Sequence, residues 1–128
     1  MQFLEKKRPP PASTERGRQA EDHAWAYLQA QGLRLLQRNY RTPGRGGGEI
    51  DLICQTPDGT VVFVEVRSRA SRAFGGAGAS ITSSKRRRLI FAAQHYLLRL
   101  NPPPPCRFDA VLIEGDSIQW LRAAFDAQ

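Results

Sequence analysis

The sequence predicts an α/β domain, a mixed central β-sheet of about five strands flanked by helices. Three observations point to it. Two segments carry apolar residues at helical spacing: Ala20, Ala24, Tyr27 and Leu28, then Leu89, Ala93, Tyr96, Leu97 and Leu100. Several shorter runs are β-branched and alternating, with turn residues between them. The resulting order, α-β-β-β-α-β-β, fits into 128 residues, which is room for a single core, and strands beside helices in one small domain imply a sheet covered by helices.

Residues 1–13 contain KKR and a PPP run with almost no periodicity, and are expected to be a disordered basic, Pro-rich tail, leaving 14–128 as the domain. The first helix is expected from about Thr14, with Ser13 or Thr14 as N-cap and Gly32 as its stop. Residues 33–40 read as a strand of imperfect alternation, and 42–48, TPGRGGG, as a flexible loop. Residues 49–55 and 60–68 are strands separated by Pro57-Asp58-Gly59. Proline presets the first turn position, aspartate tolerates the second and glycine supplies a left-handed third, which favours a three-residue hairpin loop with a bulge. An Arg/Gly/Ala/Ser loop follows over 69–80. The second helix has capping candidates at 82–84 and ends before Pro102 to Pro105, and residues 106–113 and 117–121 form a second hairpin turning near Gly115-Asp116.

Composition narrows the function classes. No apolar run approaches the roughly 18 residues of a membrane span, and the first residues lack the apolar stretch of a secretory signal, so a cytoplasmic protein without a membrane partner is expected. Cys54 and Cys106 lie in apolar runs with no histidine nearby and are expected to be buried free thiols. The net charge is +7, and 16 of the 19 basic residues are arginine, whose planar fork suits phosphate oxygens. This excess favours an anionic partner such as DNA or another nucleic acid. Between His23 and Phe108 only four acids interrupt it: Glu49, Asp51, Asp58 and Glu65.

The hairpin gives three of those acids a geometry. If Thr56 faces Thr60, then Asp51 lies opposite Glu65 and Glu49 opposite Arg67, with Ile50, Leu52, Val64 and Val66 turned to the core. Like charges in that position cost up to about 1 kcal/mol. A divalent cation would compensate, since Mg²⁺ is commonly held by one or two carboxylates plus waters and substrate phosphate. A solvated sheet face neutralised by neighbouring arginines is the alternative, and Glu49 with Arg67 is also compatible with a plain cross-strand ion pair. Two metal-binding carboxylates inside a basic surface suit a nuclease, in which basic groups capture the phosphodiester backbone and the metal stabilises charge on the phosphate.

Lys85, Arg86, Arg87 and Arg88 open the second helix. Cations at that end oppose the helix dipole by roughly 0.3–1 kcal/mol each, and a bound phosphate would reverse the sign. A solvated surface run is the alternative reading. Arg69 and Arg72 could continue the same track. The GRGGG loop lacks the GxxxxGK[ST] pattern of a nucleotide-binding loop. His23 and His95 read as ordinary helix residues, and Trp25 and Trp120 as packing residues.

GEIDLI at 48–53 followed by VFVEVR at 62–67 resembles the D…(D/E)xK core of the restriction-endonuclease-like PD-(D/E)xK superfamily. Within it, the chain resembles the YraN family of uncharacterised bacterial proteins, described as predicted endonucleases similar to archaeal Holliday junction resolvases. The resemblance extends through GRQAEDHAWAYL at 17–28, LLQRNYR at 35–41, Lys85 with the helix after it, and RFDAVLI at 107–113. It implies a single restriction-endonuclease-like domain that hydrolyses phosphodiester bonds in DNA, branched DNA included, and a homodimer by analogy with the resolvases. It also implies that Asp51 and Glu65 are ligands of Mg²⁺ or Mn²⁺, with the Val66 carbonyl as a third. Glu21 would match a helix carboxylate that helps to hold the metal, although an exposed helix glutamate is an equal reading, and Glu49 matches the family's first strand acid. The departure is Arg67, where the superfamily and most of the family place lysine. Arginine supplies charge and hydrogen bonds but, with a pKa above about 12, no general base. Weaker hydrolysis, or a non-catalytic nucleic-acid-binding protein of the same fold, would follow, unless Lys85 offers a substitute ammonium.

Overall fold

Among the described residues, five strands form one sheet in the order β1-β2-β3-β4-β5, and two helices cover it. The structure, a computed structural model, describes residues 12–44, 47–69 and 81–126. The chain runs α1 (Ala12–Ala30), β1 (Arg34–Arg41), β2 (Glu49–Gln55), β3 (Val61–Arg69), α2 (Ser83–Leu97), β4 (Cys106–Glu114) and β5 (Ser117–Phe125). All neighbours are antiparallel except β3 and β4, which are parallel and joined through α2. This is the mixed five-stranded α/β domain that the alternation of strand and helix patterns implies.

The two helices divide the core between the two faces. Ala20, Ala24 and Leu28 of α1 pack on Leu52, Cys54, Val62, Val64, Val111 and Ile113. On the other side Leu89, Ala92, Ala93 and Tyr96 of α2 pack on Tyr40, Ile50, Ile53, Val61, Phe63 and Phe108. Strand residues therefore alternate between two apolar layers, which is why β2, β3 and β4 are nearly continuous hydrophobic runs. No described helix is long and apolar enough to cross a membrane.

The Pro57-Asp58-Gly59 turn forms as expected. Gly59 takes φ +97°, the Thr56 N–H donates to the Thr60 carbonyl at 2.9 Å, and the register runs from Gln55↔Val61 to Leu52↔Val64. There the expected ladder stops. β2 remains paired with β1 as far as Arg41↔Glu49 but leaves β3 after Leu52. Ile50 and Ile53, three residues apart, both reach the α2 side, so simple alternation fails across Asp51.

Several boundaries differ from the sequence expectation. The first helix begins at Ala12, so Ser13 and Thr14 lie inside it rather than capping it; the expected tail lies outside the described residues as far as residue 11. Arg69 ends β3 instead of opening a loop, and Arg72, with the rest of 70–80, lies outside the described residues. The last strand continues to Phe125. Cys54 is buried, but Cys106 is exposed, because it opens β4 beyond the cover of either apolar layer.

Candidate active site

The parting of β2 and β3 creates the site. Beyond Leu52↔Val64 the Val66 N–H has no β2 carbonyl to meet and donates instead to Asp51 Oδ2 at 2.8 Å. This bond turns the Asp51 carboxyl towards β3, beside Glu65. The two acids are thus brought together, as the hairpin register implies, although by a side-chain bond across a split rather than by a ladder pair. Glu65 is 2% exposed and lies on the α2 side of β3, in sequence after Val61 and Phe63.

α2 delivers a cation to this pair. Thr82 caps the helix, its Oγ1 accepting from the Lys85 N–H at 3.1 Å, which meets one of the unpaired donors of the first turn. The helix start is pressed against the start of β2. A Cβ on Gly48 would lie 2.1 Å from the Arg88 carbonyl oxygen, and one on Gly47 would lie 2.2 Å from Thr42 Oγ1. Gly47 and Gly48 therefore serve close approach, whereas Gly44 takes φ +86° with open space where a Cβ would lie. With the helix seated there, Lys85 Nζ lies 3.6 Å from Glu65 Oε2, and Arg67 Nε lies 3.4 Å from the same oxygen. Glu65 Oε1 is buried with no hydrogen-bond partner among the described residues.

The electrostatics follow from that arrangement. Burial, then the Glu65 charge, push the Asp51 carboxyl up to about 7, against the Val66 N–H and Lys85, which pull it down. Burial also raises Glu65, opposed by Lys85 and Arg67 and by hydrogen bonding with Asp51. Such displaced carboxyls mark a place where negative charge is gathered without enough to balance it.

Glu21 approaches from α1. Burial, then the Asp51 charge, raise it, while its carboxylate lies 3.4 Å from Arg38 Nη2. It is within electrostatic reach of Asp51 but engaged by Arg38. Among the described residues, no three His, Cys, Asp or Glu side chains converge on one point as a complete cage. The donor set present is a pair of carboxylates with one buried oxygen unmet. That fits a hard cation which keeps several waters, as Mg²⁺ and Mn²⁺ do, and does not fit a metal that needs four protein ligands.

Glu49 is not opposite Arg67. It pairs across β1 with Arg41, at 3.7 Å, because β2 follows β1 after it leaves β3. Among the other basic candidates, Arg86 stacks over the Phe125 ring at 5.6 Å, while Arg87 and Arg88 are exposed, with no carboxylate in ion-pair range among the described residues. His95 is less isolated than the sequence suggests, since Tyr40 Oη lies 2.5 Å from its Nδ1.

Sequence reasoning missed Asp109. Its carboxylate, 0% exposed, accepts from Arg107 Nε at 3.0 Å, Trp120 Nε1 at 2.8 Å and the Ala123 N–H at 2.9 Å. The available signal was an acid in the middle of an apolar strand with an arginine two residues earlier, on the same face of the strand.

The family model of Uncharacterised protein family UPF0102 matches residues 20–113. A UPF0102 protein of Paracidovorax citrulli is 67% identical over 134 residues, 99% of either chain. One from Acidovorax sp. (strain JS42) is 66% identical, covering 91% of this chain and 90% of the relative, and one from Verminephrobacter eiseniae is 60% identical over 100% of both. These names state membership and no activity.

Proposed function

The chain belongs to uncharacterised protein family UPF0102, the YraN family, and from the geometry of its acidic site we propose that it is a metal-dependent endonuclease that hydrolyses phosphodiester bonds in DNA, with branched DNA among its candidate substrates. The observation that carries this reading is the pair of buried Glu65 and half-buried Asp51, with the Lys85 ammonium 3.6 Å from Glu65, inside a protein of net charge +7. A bound Mg²⁺ or Mn²⁺, held by Asp51 and Glu65 with the Val66 carbonyl as a third candidate oxygen, would supply Lewis-acid stabilisation of charge on the phosphate.

The chain's own groups do the rest. The exposed arginines of α2 draw in and hold the backbone. The Val66 N–H fixes the orientation of Asp51, and Arg67 holds one oxygen of Glu65. Lys85 takes the place of the lysine that the resemblance expects at 67. Its ammonium can donate to a phosphate oxygen while remaining beside Glu65, so it stabilises charge as water attacks phosphorus and the ester oxygen departs. Arg67, restricted to charge and hydrogen bonding, is the observation that favours a second reading: a nucleic-acid-binding protein of the same fold that does not cut.

Incubation of the full chain with duplex, single-stranded and four-way-junction DNA in Mn²⁺ tests the proposal. Wild type should produce cleavage that Asp51→Asn abolishes. Equal inertness of the two on all three substrates would overturn the enzyme reading and, if binding persists, leave the second.

A further inference from the structure

A cleft of about 280 Å³ opens beside the acid pair, between the end of β1, the start of β2 and the first two turns of α2. Arg41, Thr42, Gly47, Gly48, Lys85 and Arg88 form its walls. We propose that it seats one phosphodiester of a single DNA strand, the neighbour of the bond presented to Asp51 and Glu65. The inference rests on the endonuclease reading above and adds to it the form in which substrate enters.

Size and charge carry the argument. Sites for drug-sized ligands begin at about 300 Å³, so the size of this cleft suits one sugar-phosphate unit better than a base pair. Among the described residues, three cations and one acid line it: Arg41, Lys85 and Arg88 against Glu49, which is taken up by Arg41 at 3.7 Å. Arg88 has no acidic partner among the described residues. Lys85 borders the cleft and also lies 3.6 Å from Glu65, so among the described residues it is the cation that a phosphate in the cleft and a phosphate at the acids can share. The walls are held in place. Gly48 is fastened by its N–H to Thr42 Oγ1 at 2.8 Å and by its carbonyl to the Thr42 N–H at 3.1 Å, and it has no Cβ to separate it from α2. A pocket whose walls are fixed before the ligand arrives loses little on binding.

The test uses the full chain carrying Asp51→Asn, so that binding is read without cleavage, and a fluorescein-labelled single-stranded DNA 12-mer titrated across NaCl. Arg88→Ala and Arg41→Ala are compared with Arg18→Ala, an exposed arginine of α1 outside the cleft. Each cleft substitution should weaken binding by roughly five- to tenfold at low salt. Each should also flatten the slope of log K against log salt by about 0.7, the value for one phosphate contact on a single strand. Arg88→Lys should restore most of the loss. Binding that persists in the parent but falls no further with Arg88→Ala or Arg41→Ala than with Arg18→Ala would overturn the cleft assignment and leave the endonuclease reading standing. No salt-dependent binding by the parent to this strand would overturn the cleft assignment, and none to duplex or four-way-junction DNA either would overturn both.

Discussion

Glu65 and Asp109 lie on adjacent parallel strands, one register step apart, since Val64 pairs with Asp109 and Glu65 with Ala110. Both are buried, at 2% and 0% exposure. They differ in what surrounds them. Asp109 faces the α1 side, where two guanidinium nitrogens, an indole N–H and a backbone N–H fill its lone pairs. Glu65 faces the α2 side, where two cations share Oε2, Oε1 has no hydrogen bond among the described residues, and Asp51 adds a second negative charge. Burial alone therefore does not mark a functional carboxylate. A buried acid with every lone pair met is structure, and one left with unmet capacity beside another acid is a site waiting for a positively charged ligand.

The largest effect should separate the two acids directly. Asp109→Ala leaves Arg107, Trp120 and the Ala123 N–H without their acceptor, and should cost about 3–5 kcal/mol in urea denaturation. Glu65→Gln removes a charge that the metal-free fold carries at a cost, and should be neutral or stabilising at pH 8. Similar losses for both would erase the comparison.

Acid titration sharpens the same contrast. The Asp51 carboxyl is raised from 3.8 to about 7, so the fold favours its protonated form. That contribution is complete below about pH 4 and is lost as pH rises through about 7, with a ceiling of about 4 kcal/mol at roughly 1.36 kcal/mol per unit. Urea midpoints in a chelator should accordingly fall between pH 4.5 and 8 in wild type, and the fall should be much smaller in Asp51→Asn, which keeps an oxygen for the Val66 N–H. A pH dependence unchanged by the substitution would remove the charge crowding from the account.

Gly48→Ala should come next. Its methyl meets the Arg88 carbonyl, a backbone atom that cannot turn aside, so overpacking of about 1–3 kcal/mol is expected in stability. Cleavage should fall further than stability explains, because the displaced helix carries Lys85. Smallest is Arg67→Lys, which restores the lysine of the resembling superfamily beside Glu65. Cleavage in Mn²⁺ should rise by roughly two- to tenfold, read as initial rates on one substrate, while an unchanged rate would mean that Lys85 already supplies all that a lysine at 67 could.

The same contrast explains what the sequence disclosed. The Pro57-Asp58-Gly59 turn fixes its own backbone geometry, so the β2–β3 register, and with it the meeting of Asp51 and Glu65, follows from local chemistry. The point where the strands separate does not, because it depends on β1 retaining β2, a long-range choice, and for that reason Glu49 meets Arg41 rather than the expected Arg67. Lys85 could be recognised as part of a basic run, but its approach to Glu65 required knowing that Gly48 lets the helix come within a Cβ of the sheet. Asp109 supports a bulge in β5, where Ala123 takes φ +52°, and neither the bulge nor the strand beyond it has an alternating pattern to announce it.

Diffraction from crystals of the full chain soaked in Mn²⁺, collected at an energy where manganese scatters anomalously, tests the central claim most directly. The account predicts one anomalous peak between the Asp51 and Glu65 carboxylates, within coordinating distance of Glu65 Oε1, and no peak there in Glu65→Gln. Wild-type crystals with no peak at these acids at millimolar Mn²⁺, or with the metal bound at Glu21, Glu49 or Asp109 instead, would contradict it.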